Sequence, residues 1–172
     1  MSFHKETNVW AIDHATPADR ADIESYILGM DGDVVRSRFR SGRDGRSVVD
    51  RRMEAFEHMP PDEREHFELV MRAKNPDGTR PILGICHAYR IQGRTFEMSI
   101  SVGKLADHHH GLGTALLAAL IEYVRNVGGV EKLYASTEPD NVRMIGLARK
   151  LGFEYVGGLE HRESNWTFPI AA

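Results

Sequence analysis

The sequence predicts an α+β fold of mixed α/β layers, built on a mostly antiparallel sheet. Three observations predict it. First, the apolar-alternating segments "HFELVMRA", "PILGICHAYR" and "TFEMSISV" follow one another through turns too short to hold a helix, so they form an antiparallel meander. Second, at Gly111 the apolar period changes from that of a strand to that of a helix, with Leu112, Leu116, Ala119, Leu120, Tyr123, Val124 and Val127 on one stripe. Third, "EKLYAST", a turn, the helical "NVRMIGLARKLGF" and further strand candidates follow, which calls for one parallel crossover in the C-terminal half.

The elements can be justified in order. After a short polar lead, "VWAIDHA" alternates well enough for a strand. "TPADRADIESYIL" opens like a helix, with Thr16 as cap, Pro17 at the first helical position and Asp19 three residues after the cap. "GMDGDVVRSRFRSGRDGR" is a Gly, Asp and Arg-rich loop with room for one helical turn. "SVVDRRMEAFEHM" follows as a helix facing inward through Val49, Met53 and Phe56, and "MPPDE" ends it. The meander comes next, then the long helix closed by "NVGG". The following strand leads to a helix that starts at Asn141 and stops at Gly152, and the tail carries strand candidates around "EYVGG" and "SNWTFPI".

With 172 residues, 41% of them hydrophobic, the chain can bury one core, so residues 1–172 are expected to form a single domain. A formal charge of -3 lacks the basic excess that nucleic acid or an anionic membrane surface would ask for, so neither is an expected partner. The lone Cys86 rules out an internal disulfide and a cysteine metal cluster. Its reduced state suits a cytoplasmic protein, as does an N-terminus without an apolar signal core. Oligomeric state is open, with room for a homodimer.

The chemistry concentrates at "DHHHGLGTALL". A strand ending near Val102 and a helix beginning at Gly111 to Gly113 create a helix N-terminus whose first amides have no intrahelical acceptor. Two glycines there allow close backbone approach, and the peptide dipoles favour an anion such as a pyrophosphate. Thr114 adds a hydroxyl. A dinucleotide fingerprint would need a third glycine where Leu116 stands. The three histidines are consecutive and lack a partner at ligand spacing, so no metal is expected.

"HHHGLG" resembles the (Gln/Arg)-x-x-Gly-x-(Gly/Ala) pyrophosphate loop of the GNAT superfamily of N-acyltransferases, with His108 in the place of glutamine or arginine. "DNVRMIGLARKLGF" is similar to a second segment of that superfamily, with Asn141, Leu147, Lys150, Gly152 and Phe153 in register. The resemblance covers residues 95–158 and is nearest to bacterial protein-lysine acetyltransferase domains and their single-domain relatives. It implies helices on both faces of the sheet and a splay between the fourth and fifth strands, here "TFEMSISV" and "EKLYAST".

It further implies acetyl-CoA as co-substrate, with its pyrophosphate on the turn formed by His108, His109, His110, Gly111, Leu112, Gly113 and Thr114. The pantetheine arm would pair with the backbone of Ser101, Val102 and Gly103, and Asn141 would bind the same arm unless it serves only as a helix cap. Transfer to an amine needs a base, because an ammonium with pKa ~10.4 is not nucleophilic. Glu97, on the last meander strand, is the candidate, with Phe96 and Met98 as apolar neighbours to strengthen it and Glu138 in reserve. Ala148 stands where many members carry a tyrosine acid, so Ser136 or water would replace it, or the coenzyme would leave as thiolate. The acceptor is a small-molecule amine or a protein lysine, with the arginines of "RSRFRSGRDGR" near the acceptor wall. A non-catalytic acyl-CoA-binding module is the rival class.

Overall fold

A computed structural model of the chain describes residues 3–30, 66–103, 111–158 and 163–170. The expected helix in "SVVDRRMEAFEHM", the arginine-rich loop before it and His108, His109 and His110 lie outside the described residues. One eight-stranded sheet organises the rest. Its strands are β1 (His4–Glu6), β2 (Trp10–His14), β3 (His66–Ala73), β4 (Ile82–Gln92), β5 (Thr95–Val102), β6 (Lys132–Thr137), β7 (Glu154–Gly157) and β8 (Ser164–Pro169). Among the described residues three α-helices accompany them: α1 (Arg20–Leu28), α2 (Leu112–Val127) and α3 (Val142–Lys150).

The sheet order is β1-β2-β3-β4-β5-β6-β8-β7, antiparallel throughout except for β5 with β6. The meander β3-β4-β5 matches the expected segments closely. Two features go beyond the sequence reading. The polar lead contains β1, an edge strand fixed by pairing with β2 and by the ion pairs Lys5–Glu122 and Lys74–Glu6. The last strand, β8, inserts between β6 and β7 instead of adding outside them.

Strand parity divides the sheet into two unlike faces. Phe67, Leu69 and Met71 of β3, Cys86 and Ala88 of β4, and Phe96 and Met98 of β5 share one face and pack in the larger core with α2 and Ala148 of α3. Leu112, Leu116, Leu117, Ala119, Leu120, Ile121, Tyr123 and Val124 of α2 are all buried there, each large aliphatic among them contributing ~1.5–3 kcal/mol by its removal from water. The opposite face holds a smaller cluster, Val70, Ile82 and Ile85 under Ile23 and Ile27 of α1. The sheet therefore carries helices on both faces, as the sequence implied.

The start of α1 follows its sequence signature with one modification. Pro17–Asp19 form a 3-10 turn before the α-helix, and the Thr16 amide and hydroxyl both donate to Asp19 Oδ2, at 2.9 and 2.8 Å. Asp19 also accepts from Arg72 of β3 at 2.8 Å, and Asp22 takes the other end of the same guanidinium at 2.8 Å. Burial pushes the Asp19 carboxyl up, but the hydrogen bonds from Thr16 and Arg72 outweigh it and hold the group below the usual carboxylate range. This clamp ties α1 to the sheet.

The expected splay is present. β5 pairs with β6 only through Thr95↔Lys132, Phe96↔Leu133 and Glu97↔Tyr134. Beyond that rung β5 stays with β4 as far as Val102, while β6 stays with β8 as far as Thr137, so the two strands part and leave a mouth between them. Among the described residues, no helix is long and apolar enough to cross a membrane.

Gly84 of β4 marks where the far end of β5 is held. A Cβ there would fall 2.8 Å from the Ser101 carbonyl oxygen and 3.1 Å from a Leu116 methyl. Gly84→Ala should therefore destabilise the fold by ~1–3 kcal/mol, as overpacking against main chain does. Urea denaturation should show a lower midpoint at unchanged slope.

Candidate functional site

Three elements converge at the mouth. The first is the end of β5. Gly103 N–H donates to Leu83 C=O at 2.9 Å, and the Ser101 carbonyl turns towards Gly84 on β4 and accepts from Tyr26 Oη at 3.3 Å. Main-chain groups alternate sides along a strand, so those of Ile100 and Val102 point the other way, into the mouth. Of the three backbone positions expected to meet a ligand, Val102 has that orientation. Ser101 and Gly103 are turned to β4, and a Cβ on Gly103 would come 3.1 Å from the Tyr26 ring, so that glycine serves the packing of α1.

The second element is the N-terminus of α2. Gly111 is its N-cap in the left-handed region, φ +98°, and among the described residues no side chain caps the helix. The amides of Leu112, Gly113 and Thr114 in the first turn thus lack intrahelical acceptors, and that turn contains no acidic residue. Lys150 Nζ, from the end of α3, stands 3.5 Å from Thr114 Oγ1 and adds positive charge to the same end. Gly113 sits between Val102 and Leu147, whose methyls would be 3.8 and 3.7 Å from a Cβ there. Helix start, strand end and α3 are therefore in van der Waals reach of one another.

The third element is α3. Asn141 is its N-cap, the side-chain oxygen accepting from Met144 N at 3.0 Å, so the capping role is real and occupies Oδ1. Ala148 is fully buried in the core, and Glu138 is exposed in the turn before α3, where its carbonyl accepts from Asn141 N at 3.1 Å. Cys86 is fully buried under α2, its thiol donating to Leu116 C=O at 3.6 Å, which makes it a core residue.

The face of the sheet opposite α2 is polar beside the mouth. Glu97, half-buried, lies there because odd positions of β5 point away from α2. Phe96 and Met98 sit on the other face, so they do not surround it. That corrects the expected apolar setting, and the reason is the strand's period of two. Its actual neighbours are Tyr89 on β4, whose hydroxyl donates to Glu97 Oε2 at 2.5 Å, and Tyr134, directly opposite on β6 in the last rung before the splay. One rung further, His87 is nearly buried and opposes Glu68, which is fully buried. His66 Nε2 approaches Glu68 Oε2 at 3.4 Å, and the His66 and His87 rings stack with centroids 5.4 Å apart.

Ser136 faces the same side as Tyr134, two residues further into the mouth, and its hydroxyl donates to Glu163 Oε2 at 3.2 Å. Sequence reasoning placed Glu97, Ser136, Val102, Gly111, Gly113 and Asn141 around one opening. It missed Tyr89, Tyr134 and Glu163, whose partnerships depend on strand register and leave no local signal. The arrangement offers an anion-accepting helix end, an edge of main-chain donors and acceptors, and a carboxylate at the apex between them.

The family model described as an acetyltransferase (GNAT) domain matches residues 12–154. Among solved structures the chain is similar to the GNAT domain of PAT from S. lividans, at 16% identity and TM-score 0.76, with 96% of each chain covered. It is also similar to the ribosomal-protein-S5-alanine acetyltransferase of Vibrio fischeri, at 14% identity and TM-score 0.74, covering 98% of this chain and 96% of that one. A third likeness is to yncA from Salmonella typhimurium, solved with its cofactor acetyl-CoA, at 22% identity and TM-score 0.67 with 95% of each chain covered. Identities this low speak for the fold. No curated protein matches the chain by sequence.

The cap at Asn141 can be tested without a ligand. Asn141→Ala should cost about 1 kcal/mol of unfolding free energy, and Asn141→Asp should remain within about 0.5 kcal/mol of the native chain because aspartate caps as well. Denaturant titration of the three proteins checks both.

Proposed function

The chain belongs to the acetyltransferase (GNAT) family of acyl-CoA-dependent enzymes, and on that premise we propose that it moves an acetyl group from acetyl-CoA directly to a primary amine, with Glu97 as general base. The observation that carries this reading is the position of Glu97, a carboxylate on the last β5–β6 rung at the apex of the mouth that ends at the uncapped helix α2.

The α2 amides from Leu112 to Thr114 and the charge of Lys150 suit a pyrophosphate, and positive φ at Gly111 keeps that backbone free of a side chain. The main-chain edge at Ile100 and Val102 suits an amide-bearing arm, which would add to β5 as a further strand does. In the reaction, Glu97 takes a proton from the acceptor's ammonium and the amine nitrogen attacks the thioester carbonyl. The carbon–sulfur bond then breaks, the nitrogen gives up its second proton, which reaches the departing thiolate directly or through water to give the amide and CoA thiol, and Glu97 returns its proton to solvent. A protein lysine or a small-molecule amine is the acceptor. The buried lone Cys86 supports a direct route over an acetyl-cysteine one, and a reducing cytoplasmic setting.

Buried Ala148 is the observation that favours a second reading, in which acyl-CoA binds without turnover. Release of CoA thiol from acetyl-CoA and longer acyl-CoAs, screened with small amines and lysine peptides, separates the two. Turnover with any acceptor supports the enzyme, and binding with no release across the panel overturns it.

Glu97→Gln should lower turnover at neutral pH by about a hundredfold or more, as loss of a general base does, with acetyl-CoA affinity nearly unchanged in a direct binding assay. Turnover equal to that of the native chain would remove Glu97 from the mechanism. Gly111→Val forces a branched side chain into the left-handed region, at ~1–3 kcal/mol of strain, and blocks close approach to the helix end. It should weaken acetyl-CoA binding more than tenfold, in a protein whose circular dichroism is unaltered, and retained affinity would sink the assignment of the turn.

A further inference from the structure

A base must present a defined oxygen to its substrate, and a glutamate on a strand has three rotatable bonds that must be held to do so. The structure supplies the restraint. Tyr89 Oη donates to Glu97 Oε2 at 2.5 Å, across a rung where the two residues are directly opposed on β4 and β5. A phenol donating to a carboxylate is among the stronger hydrogen bonds.

Tyr89 lies on the polar face with its side chain partly exposed. It opposes His66 on β3, and its ring lies 6.1 Å from that of His87. His87 is 5% exposed and stacks on His66, which in turn approaches the fully buried Glu68. The sequence of contacts runs from the buried interior of the sheet to the half-buried carboxylate at the mouth. Glu97 thus lies at the solvent end of a polar row whose other end, Glu68 and His87, is buried.

We propose that Tyr89 is a positioning residue for the transfer reaction: it fixes the Glu97 carboxylate through Oε2, so that Oε1 is the atom that faces the acceptor and takes its proton. This rests on Glu97 being the base. In the step, the acceptor's N–H bond breaks, an Oε1–H bond forms, and the phenol keeps its own proton throughout. Tyr89 touches neither the acceptor nor the coenzyme. Its removal leaves the base in place but free to rotate, and the cost falls on turnover and not on coenzyme binding.

The test is a double-mutant cycle on the full chain, with CoA thiol release measured for the amine that turns over fastest among lysine peptides, spermidine and benzylamine. Tyr89→Phe should lower kcat about tenfold, equivalent to ~1.4 kcal/mol, with the KM for acetyl-CoA and the melting temperature unchanged. Placed in the Glu97→Gln background, the same change should add no further loss, because there is no base left to position. A Tyr89→Phe enzyme with native kcat, or a tenfold loss that persists in the Glu97→Gln background, overturns the proposal. Failure of the base itself is a separate result: there, Glu97→Gln alone retains native turnover.

Discussion

The feature on which the rest depends is the short pairing between β5 and β6. Three rungs join them, and then each strand continues with its outer neighbour only, β5 with β4 and β6 with β8. A sheet whose strands stayed paired to their ends would satisfy its main chain internally and offer nothing at its centre. Here the divergence turns the Ile100 and Val102 backbone groups towards an opening and places Glu97 and Tyr134 at its apex. The Gly84 and Ser101 contact on the β4 side holds β5 in that path, and α2 then starts against the strand end through Gly113.

The second constraint is parity. Every residue of β5 is committed to one of two faces. Phe96 and Met98 must fill the α2 core, so Glu97 between them is committed to the polar side. That is why a glutamate in an apolar-looking segment can be both half-buried and hydrogen-bonded to a tyrosine hydroxyl. The same alternation sends Cys86 into the core and His87 out of it, although they are adjacent in sequence. Burying polar groups beside the mouth carries a cost, since they must find partners. His66 and Glu68 meet it by approaching each other along β3, and Tyr89 and Glu97 by pairing across β4 and β5.

What was legible in the sequence follows from how far each signal reaches. Periodicity is local, so the three meander strands, α2 and α3 were readable nearly to their ends. Positive-φ glycines are local too, and Gly111, Gly128 and Gly152 stand at the helix boundaries where the sequence put them. β1 was not readable, because "HKE" has no alternation and owes its strand to β2 and to distant ion pairs with Glu122 and Lys74. The insertion of β8 between β6 and β7 was also invisible, since nothing near "SNWTFPI" states which edge it joins. In the site, glycines and the cap at Asn141 were legible as backbone requirements. The Tyr89–Glu97 and Ser136–Glu163 pairs were not, because each is a fact about register or tertiary approach and no spacing encodes it.

The buried Ala148 bears on how the chemistry is shared between its two ends. Removing a proton at pH 7 from an amine of pKa ~10.4 costs ~4.6 kcal/mol, whereas returning one to a thiolate whose thiol has pKa ~8.5 is worth only ~2 kcal/mol. In the proposed transfer the larger demand lies at the nitrogen, where Glu97 is the carboxylate and accepts a hydrogen bond from Tyr89 on the adjacent strand. The smaller demand lies at the sulfur, where water can supply the proton. In the proposed reaction, a buried alanine at position 148 therefore leaves only the cheaper half of the proton traffic to water. The costlier half is the one the proposal assigns to the sheet, where strand register sets Glu97 at the apex of the mouth and Tyr89 at its side.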